Sequence, residues 1–153
     1  MKWRVVYGVG RAFVPSYWGG ADGTFVGPDK RGLPLTFEGT RAAGVSLSSG
    51  VVMVLDDEVD LGDVLARIAA FFRDETCGQC VPCRIGTVRQ EELLARVRHG
   101  RPIGGRSHEL ALLAEIGQVM RDASICGLGQ TASNAIESAF ANLDPLPEGS
   151  TKE

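Results

Sequence analysis

Glu75-Thr76-Cys77-Gly78-Gln79-Cys80-Val81-Pro82-Cys83-Arg84-Ile85-Gly86 is the segment from which the rest of the chain can be read. Three thiols recur here at intervals of two intervening residues, and a fourth cysteine, Cys126, stands alone further along. Thiols at this spacing can wrap one corner of a cubane, each giving a thiolate to its own iron, with a remote cysteine completing the set. The chain holds four cysteines in all, so Cys126 is the remaining candidate. A [4Fe–4S] cluster bound by Cys77, Cys80, Cys83 and Cys126 is the expectation.

The neighbouring residues suit that chemistry. Gly78, Gly86, Gly127 and Gly129 carry no side chain to keep backbone away from a cluster. Backbone N–H groups aimed at cluster sulfurs stabilise added negative charge. Pro82 stiffens the turn between Cys80 and Cys83. Zinc is the rival, because four thiolates also suit a tetrahedral ion. Structural zinc, however, draws two ligands from each of two Cys-x2-Cys knuckles, whereas the split here is three and one. Small buried core cysteines are the plainer alternative, and their regular spacing argues against it.

Moving outward, helical periodicity dominates the residues after 57. Asp60 is placed to cap a helix in which Leu61, Val64, Leu65, Ile68 and Phe72 share one face. Ile85, Val88, Leu94 and Val97 give a second helix ending near Gly100 and Pro102. Ser107 starts a third, with Leu110, Leu113, Ala114, Ile116 and Met120 as its apolar face. Asn134 is the expected N-cap of a fourth, with Glu137 reaching back to it. That helix buries Ile136, Phe140 and Leu143 and stops at Asp144-Pro145. Four amphipathic helices joined by short loops imply a helical bundle.

Residues 1–57 read differently. Glycines, aromatics and Pro15, Pro28 and Pro34 break up any long element. Arg4–Tyr7 and Leu33–Phe37 read as short strands, and Val51–Leu55 as a strand buried on both faces. Trp3, Tyr7, Phe13, Tyr17, Trp18 and Phe25 are the core candidates of this unit. The fold class is therefore α+β: a small β-rich domain at 1–57, a helical metal-binding domain at 58–146, and a loose tail at 147–153.

The 153 residues carry a net charge of −3 and a hydrophobic fraction of 44%. That balance gives no electrostatic basis for binding nucleic acid or an anionic membrane surface. No segment approaches the roughly 20 apolar residues that span a bilayer, and the N-terminus lacks the apolar core of a secretory signal. A cytoplasmic location follows as the expectation, and thiols there stay reduced, which favours metal ligation over disulfides. Arg89, Arg96, Arg98, Arg101 and Arg106 read as a solvated helix face, with docking of an acidic partner as the sharper alternative. His99 and His108 read as surface residues rather than ligands.

The segment 75–86, followed by Asp122-Ala123-Ser124-Ile125-Cys126-Gly127-Leu128-Gly129-Gln130-Thr131-Ala132, resembles the iron–sulfur region of the NADH-binding flavoprotein subunits. Those subunits belong to respiratory complex I and to NAD-dependent hydrogenases and formate dehydrogenases. The resemblance covers about residues 37–143 and implies that Cys77, Cys80, Cys83 and Cys126 are the cluster ligands. It also implies a β-grasp-like domain of the soluble-ligand-binding type ahead of a four-helix iron–sulfur domain. Residues 35–40 and 50–55 look like the end of the β-grasp unit.

Family members carry a large flavin- and NADH-binding domain before this region, and the sequence starts too late to include it. Gly8-Val9-Gly10 is its only echo, and Phe13 stands where a dinucleotide fingerprint needs glycine or alanine. Nicotinamide or flavin binding by this chain is therefore not expected. What the resemblance implies is a non-catalytic electron-transfer subunit within a hydrogenase, formate dehydrogenase or complex I-like oxidoreductase. Its partners would be a thioredoxin-like [2Fe–2S] subunit and a larger catalytic subunit. A structural or docking module stapled by a cluster or zinc is the alternative, and the sequence as a piece of a complete flavoprotein subunit is a third possibility.

Overall fold

The computed structural model describes residues 15–30, 32–55 and 58–146. Its class is α+β: a small three-stranded sheet set against a layer of helices. The strand expected at Arg4–Tyr7, the aromatics Trp3, Tyr7 and Phe13, Gly8-Val9-Gly10 and the tail 147–153 lie outside the described residues.

Strands β1 (Ser16–Trp18) and β2 (Thr24–Val26) form a hairpin, and β3 (Val52–Val54) adds to the other side of β1. Both pairings are antiparallel, with Tyr17 opposite Phe25 on one side and opposite Met53 on the other. The hairpin turns at Gly19, whose φ of +113 and contact with the Gly23 backbone admit no side chain. Tyr17, Trp18 and Phe25 are buried, as expected of core aromatics. Trp18 Nε1 donates to Ser16 Oγ at 2.8 Å, so its polar tip is satisfied inside.

Two strand expectations are corrected. Leu33–Phe37 is not a strand. Thr36 caps helix α1 (Phe37–Ala42), its hydroxyl accepting the Gly39 N–H at 3.1 Å. Val51–Leu55 does contain β3, but not buried on both faces: Val52 and Val54 are exposed, while Met53 and Leu55 turn to the core.

Five further helices follow: α2 (Leu61–Glu75), α3 (Val81–Arg98), α4 (Arg106–Ala123), the short α5 (Gly127–Thr131) and α6 (Asn134–Asn142). Asp60 caps α2 as its position predicts, accepting from Gly62 N at 2.9 Å and Asp63 N at 3.3 Å. Val64, Leu65 and Phe72 are buried from its apolar face. α3 begins immediately after Cys80, with Ile85 pointing outward and Thr87, Gln90, Leu93 and Leu94 inward. On α4, Leu113 and Met120 face the core while Ala114, expected there, is exposed.

The expected cap at Asn134 is also corrected. Ser133 is the N-cap residue, and its helical backbone continues almost without a break from α5, leaving no reversal for Asn134 to cap. Asn134 instead donates to Asp22 O at 3.3 Å in the hairpin turn. Glu137 does not reach back either; it pairs with Arg121 of α4 at 3.1 Å.

The sheet rests on α6. Phe25 N donates to Ser138 Oγ at 2.9 Å, and Asn142 Nδ2 donates to Phe25 O at 3.0 Å. Tyr17 and Phe25 share a hydrophobic core with Leu65, Leu93, Leu113 and Ile136. Burial lifts the Tyr17 phenol well above its ordinary value, so it stays neutral. Gly86 lets α3 pack closely on α4: a Cβ there would strike Met120.

The arginines expected on a solvated face are largely engaged in ion pairs. Arg96 grips Glu109 at 2.7 and 2.8 Å, Arg98 reaches Asp60 at 3.4 Å, Arg106 pairs with Asp144, and Arg89 with Glu92. The pairs made by Arg96 and Arg98 join the end of α3 to the starts of α4 and α2. His99 and His108 are exposed. Among the described residues no helix is long and apolar enough to cross a membrane.

Candidate metal centre

Two loops build the site. The first leaves α2 at Glu75 and enters α3 at Val81. Thr76 and Cys80 are extended, while Gly78 takes φ +73, a left-handed turn that glycine tolerates without strain. Arg84, one turn into α3, reaches back to donate from Nη1 to Gly78 O at 3.2 Å. Cys80 is the N-cap residue of α3, and Pro82 lies in the first turn where its missing N–H costs nothing. Arg84 N bonds Cys80 O at 3.0 Å, closing that turn and fixing Cys83 on it.

The second loop joins α4 to α5. Ser124 is extended and Cys126 is the N-cap residue of α5. Gln130 holds the loop in place, donating from Nε2 to Ser124 O at 3.0 Å. A Cβ on Gly129 would lie 2.8 Å from Cys83 Cβ and also strike Ser124. Glycine at 129 is therefore what lets α5 approach α3 closely enough to bring the two loops together.

The four cysteines are free thiols, graded from exposed Cys77 and Cys126 through half-buried Cys80 to buried Cys83. Their electrostatics report the same meeting. The Ile125 backbone N–H, from the second loop, is the chief cause that lowers the Cys80 thiol below its ordinary value; the Cys83 N–H and the Ser124 hydroxyl assist. Desolvation by burial raises the Cys83 thiol, eased by the Thr76 hydroxyl and reinforced by the charges of Cys80, Cys126 and Cys77. All three other thiols thus lie within electrostatic reach of Cys83.

The donor set fits a cluster: four free thiols, three from the first loop and one from the second. Thiolates spread around a larger body, each for its own iron, meet the needs of a cubane. Ser124 is buried at 6% exposure, and its hydroxyl faces the Cys80 thiol.

Sequence reasoning named the four thiols but not Thr76, Ser124, Gln130 or Arg84 as their supports. A hydroxyl within two residues of a ligand-type cysteine was the available signal for the first two.

Residues 63–145 match the family described as the NADH-ubiquinone oxidoreductase-F iron-sulfur binding region. That family binds a [4Fe–4S] cluster. NADP-reducing hydrogenase subunit HndC of Solidesulfovibrio fructosivorans is 34% identical over 140 residues, covering 87% of this chain and 27% of its own length. The mitochondrial NADH-ubiquinone oxidoreductase 51 kDa subunit of Neurospora crassa is 28% identical over 111 residues, covering 72% of this chain and 22% of its own. A solved structure of an NAD+-reducing [NiFe]-hydrogenase in the H2-reduced state superimposes with a TM-score of 0.75 at 28% identity, over 92% of this chain and 24% of that one. The chain thus spans about a quarter of the length of the relatives it matches. On the match over residues 63–145, the chain belongs to the NADH-ubiquinone oxidoreductase-F iron–sulfur binding region family.

Proposed function

We propose that Cys77, Cys80, Cys83 and Cys126 ligate one [4Fe–4S] cluster, and that the chain relays electrons between partner subunits of a multi-subunit oxidoreductase. The observation that carries this reading is the meeting of the two cysteine loops at Cys83, where the other three thiols act on one buried sulfur. Bound there, the cluster supplies one-electron transfer. Four thiolates leave no coordination site open to substrate, so the part played by the chain is to hold and tune rather than to catalyse.

The residues divide that work. Cys77 and Cys126 are exposed and give the electron a route to a neighbour, while burial of Cys83 limits water on the inner side. The Ile125 and Cys83 amides stabilise negative charge on Cys80. Arg84 and Gln130 fix the two loops against α3 and α5.

The partners in this reading are a thioredoxin-like [2Fe–2S] subunit and a larger catalytic subunit of hydrogenase, formate dehydrogenase or complex I-like type, in the cytoplasm. Relatives named as subunits of a hydrogenase and of NADH-quinone oxidoreductase support membership of a multi-subunit redox complex. The three-stranded sheet of β1 to β3 supports a β-grasp-like unit ahead of the helices. A four-helix iron–sulfur domain over residues 58–146 has α2, α3, α4 and α6 as its candidates.

The test is electron flux through the assembled complex carrying Cys126→Ser in this chain. Flux should fall with the loss of the cluster signal. Undiminished flux without the cluster would leave this chain a docking module and remove the relay.

A further inference from the structure

Thr76 precedes Cys77 in sequence, yet its side chain turns to Cys83. Thr76 Oγ1 lies 3.2 Å from Cys83 Sγ, and the same oxygen accepts the Gly78 N–H at 3.3 Å. A hydroxyl has one hydrogen and two lone pairs. Gly78 occupies a lone pair, so the hydrogen of Thr76 remains for the sulfur. A metal-bound thiolate has no hydrogen to return. With Cys83 ligated as a thiolate, the contact is O–H···S with Thr76 as the donor.

The place of this bond gives it weight. Cys83 is only 4% exposed, so water competes little for its sulfur. Gly129 and its short helix close the other side of the same side chain. A hydrogen bond donated to a ligand sulfur draws charge from it and favours whichever oxidation state is more negative. Adding one electron makes the centre more negative, so the donor favours the reduced form.

Resting on the ligand assignment above, we propose that Thr76 is a positioning residue that raises the reduction potential of the metal centre through its hydrogen bond to Cys83. The bond also spans the first loop, so the hydroxyl reads the geometry of Thr76–Gly78 into the electronics of Cys83. Only the difference in strength between the two oxidation states counts, which is on the order of tenfold in the one-electron equilibrium constant, or about 59 mV.

The experiment is a potentiometric titration followed by EPR on the full chain, purified anaerobically, with iron and acid-labile sulfide measured on each sample. Thr76→Val should retain the cluster and shift its potential downward by about that amount. Thr76→Ser, which keeps the hydroxyl, should stay at the wild-type potential. Should Thr76→Val lose its iron, Thr76→Ala takes its place, since it removes the hydroxyl without adding bulk. An unchanged potential in the hydroxyl-free variant overturns the proposal and leaves the ligand assignment standing. Equal shifts in Thr76→Ser and Thr76→Val also overturn it, because the hydroxyl is then not the cause. Iron lost from both Val and Ala variants but kept in Ser moves the role to assembly, again against the proposal. Wild-type chain without iron and sulfide removes the ligand assignment and this proposal together.

Discussion

The two ends of the helical layer are built on opposite principles. α2 and α3 run antiparallel: Thr76 meets Cys83 at one end, and Asp60 meets Arg98 at the other. An 18-residue helix such as α3 spans roughly 27 Å, so the ends are well separated. At the arginine end, ion pairs and a helix cap join α3 to the starts of α2 and α4. Asp60 caps α2, and Glu109, 1% exposed, takes two bonds from Arg96 and a third from Ile103 N at 2.8 Å. At the cysteine end the N-cap residues of α3 and α5 are thiols that make no side-chain capping bond. One end is closed by charge pairs within the chain. The other presents four free thiols.

The sharpest break of this contrast is Cys83→Ser. Iron and sulfide per chain should fall to near zero, and amide hydrogen exchange should quicken at 76–84 and 124–131. Exchange across 60–72 and 90–98 should change far less, because those segments rest on the ion-paired end. Uniform loss of protection along the chain would mean that the two ends are not separable.

Glu109→Ala probes the other end. It strands Arg96 and Ile103 N, and breaking a buried pair costs roughly 3 kcal/mol, to be read by denaturant titration with iron content unchanged. The pH dependence has a definite sign. Arg96 holds the Glu109 carboxyl below its ordinary value of 4.5. A depressed carboxyl contributes stability that is fully present above the unfolded pKa and is lost as pH falls through the folded one. The gap between wild type and Glu109→Ala should therefore be widest near neutrality and narrow below about pH 4.5. A gap that widens in acid would contradict the pairing.

Gly129→Ala tests the seam between the two loops. The added methyl meets Cys83 Cβ and Ser124, and overpacking of this kind costs about 1–3 kcal/mol. The loss should be accompanied by weaker iron retention, which Glu109→Ala should not show. Asp60→Ala should have the smallest effect, about 1 kcal/mol for a helix cap, again with full iron content.

How much of this was legible in the sequence depends on what each feature is made of. α2, α3 and α4 were visible because apolar residues recur at helical spacing, and Asp60 because capping is a local event. β1 and β2 were missed: three residues each are too few for alternation to register, and their partners lie across the fold on α6. Val51–Leu55 misled because a β-branched run looks alike whether one face or two is covered. The exposed Val52 and Val54 show that only one is. Arg96 looked like a surface charge, since an ion pair to a separate helix leaves no periodic trace. At the site, spacing alone picked out the cysteines. Thr76 was invisible as a donor because its bond to Cys83 exists only once the loop turns at Gly78.

The most direct test of the metal assignment is iron, acid-labile sulfide and zinc per chain after anaerobic purification. About four irons and four sulfides, both lost in Cys126→Ser, are expected. One zinc per chain with no sulfide would contradict the cluster and make the cysteine end a structural staple.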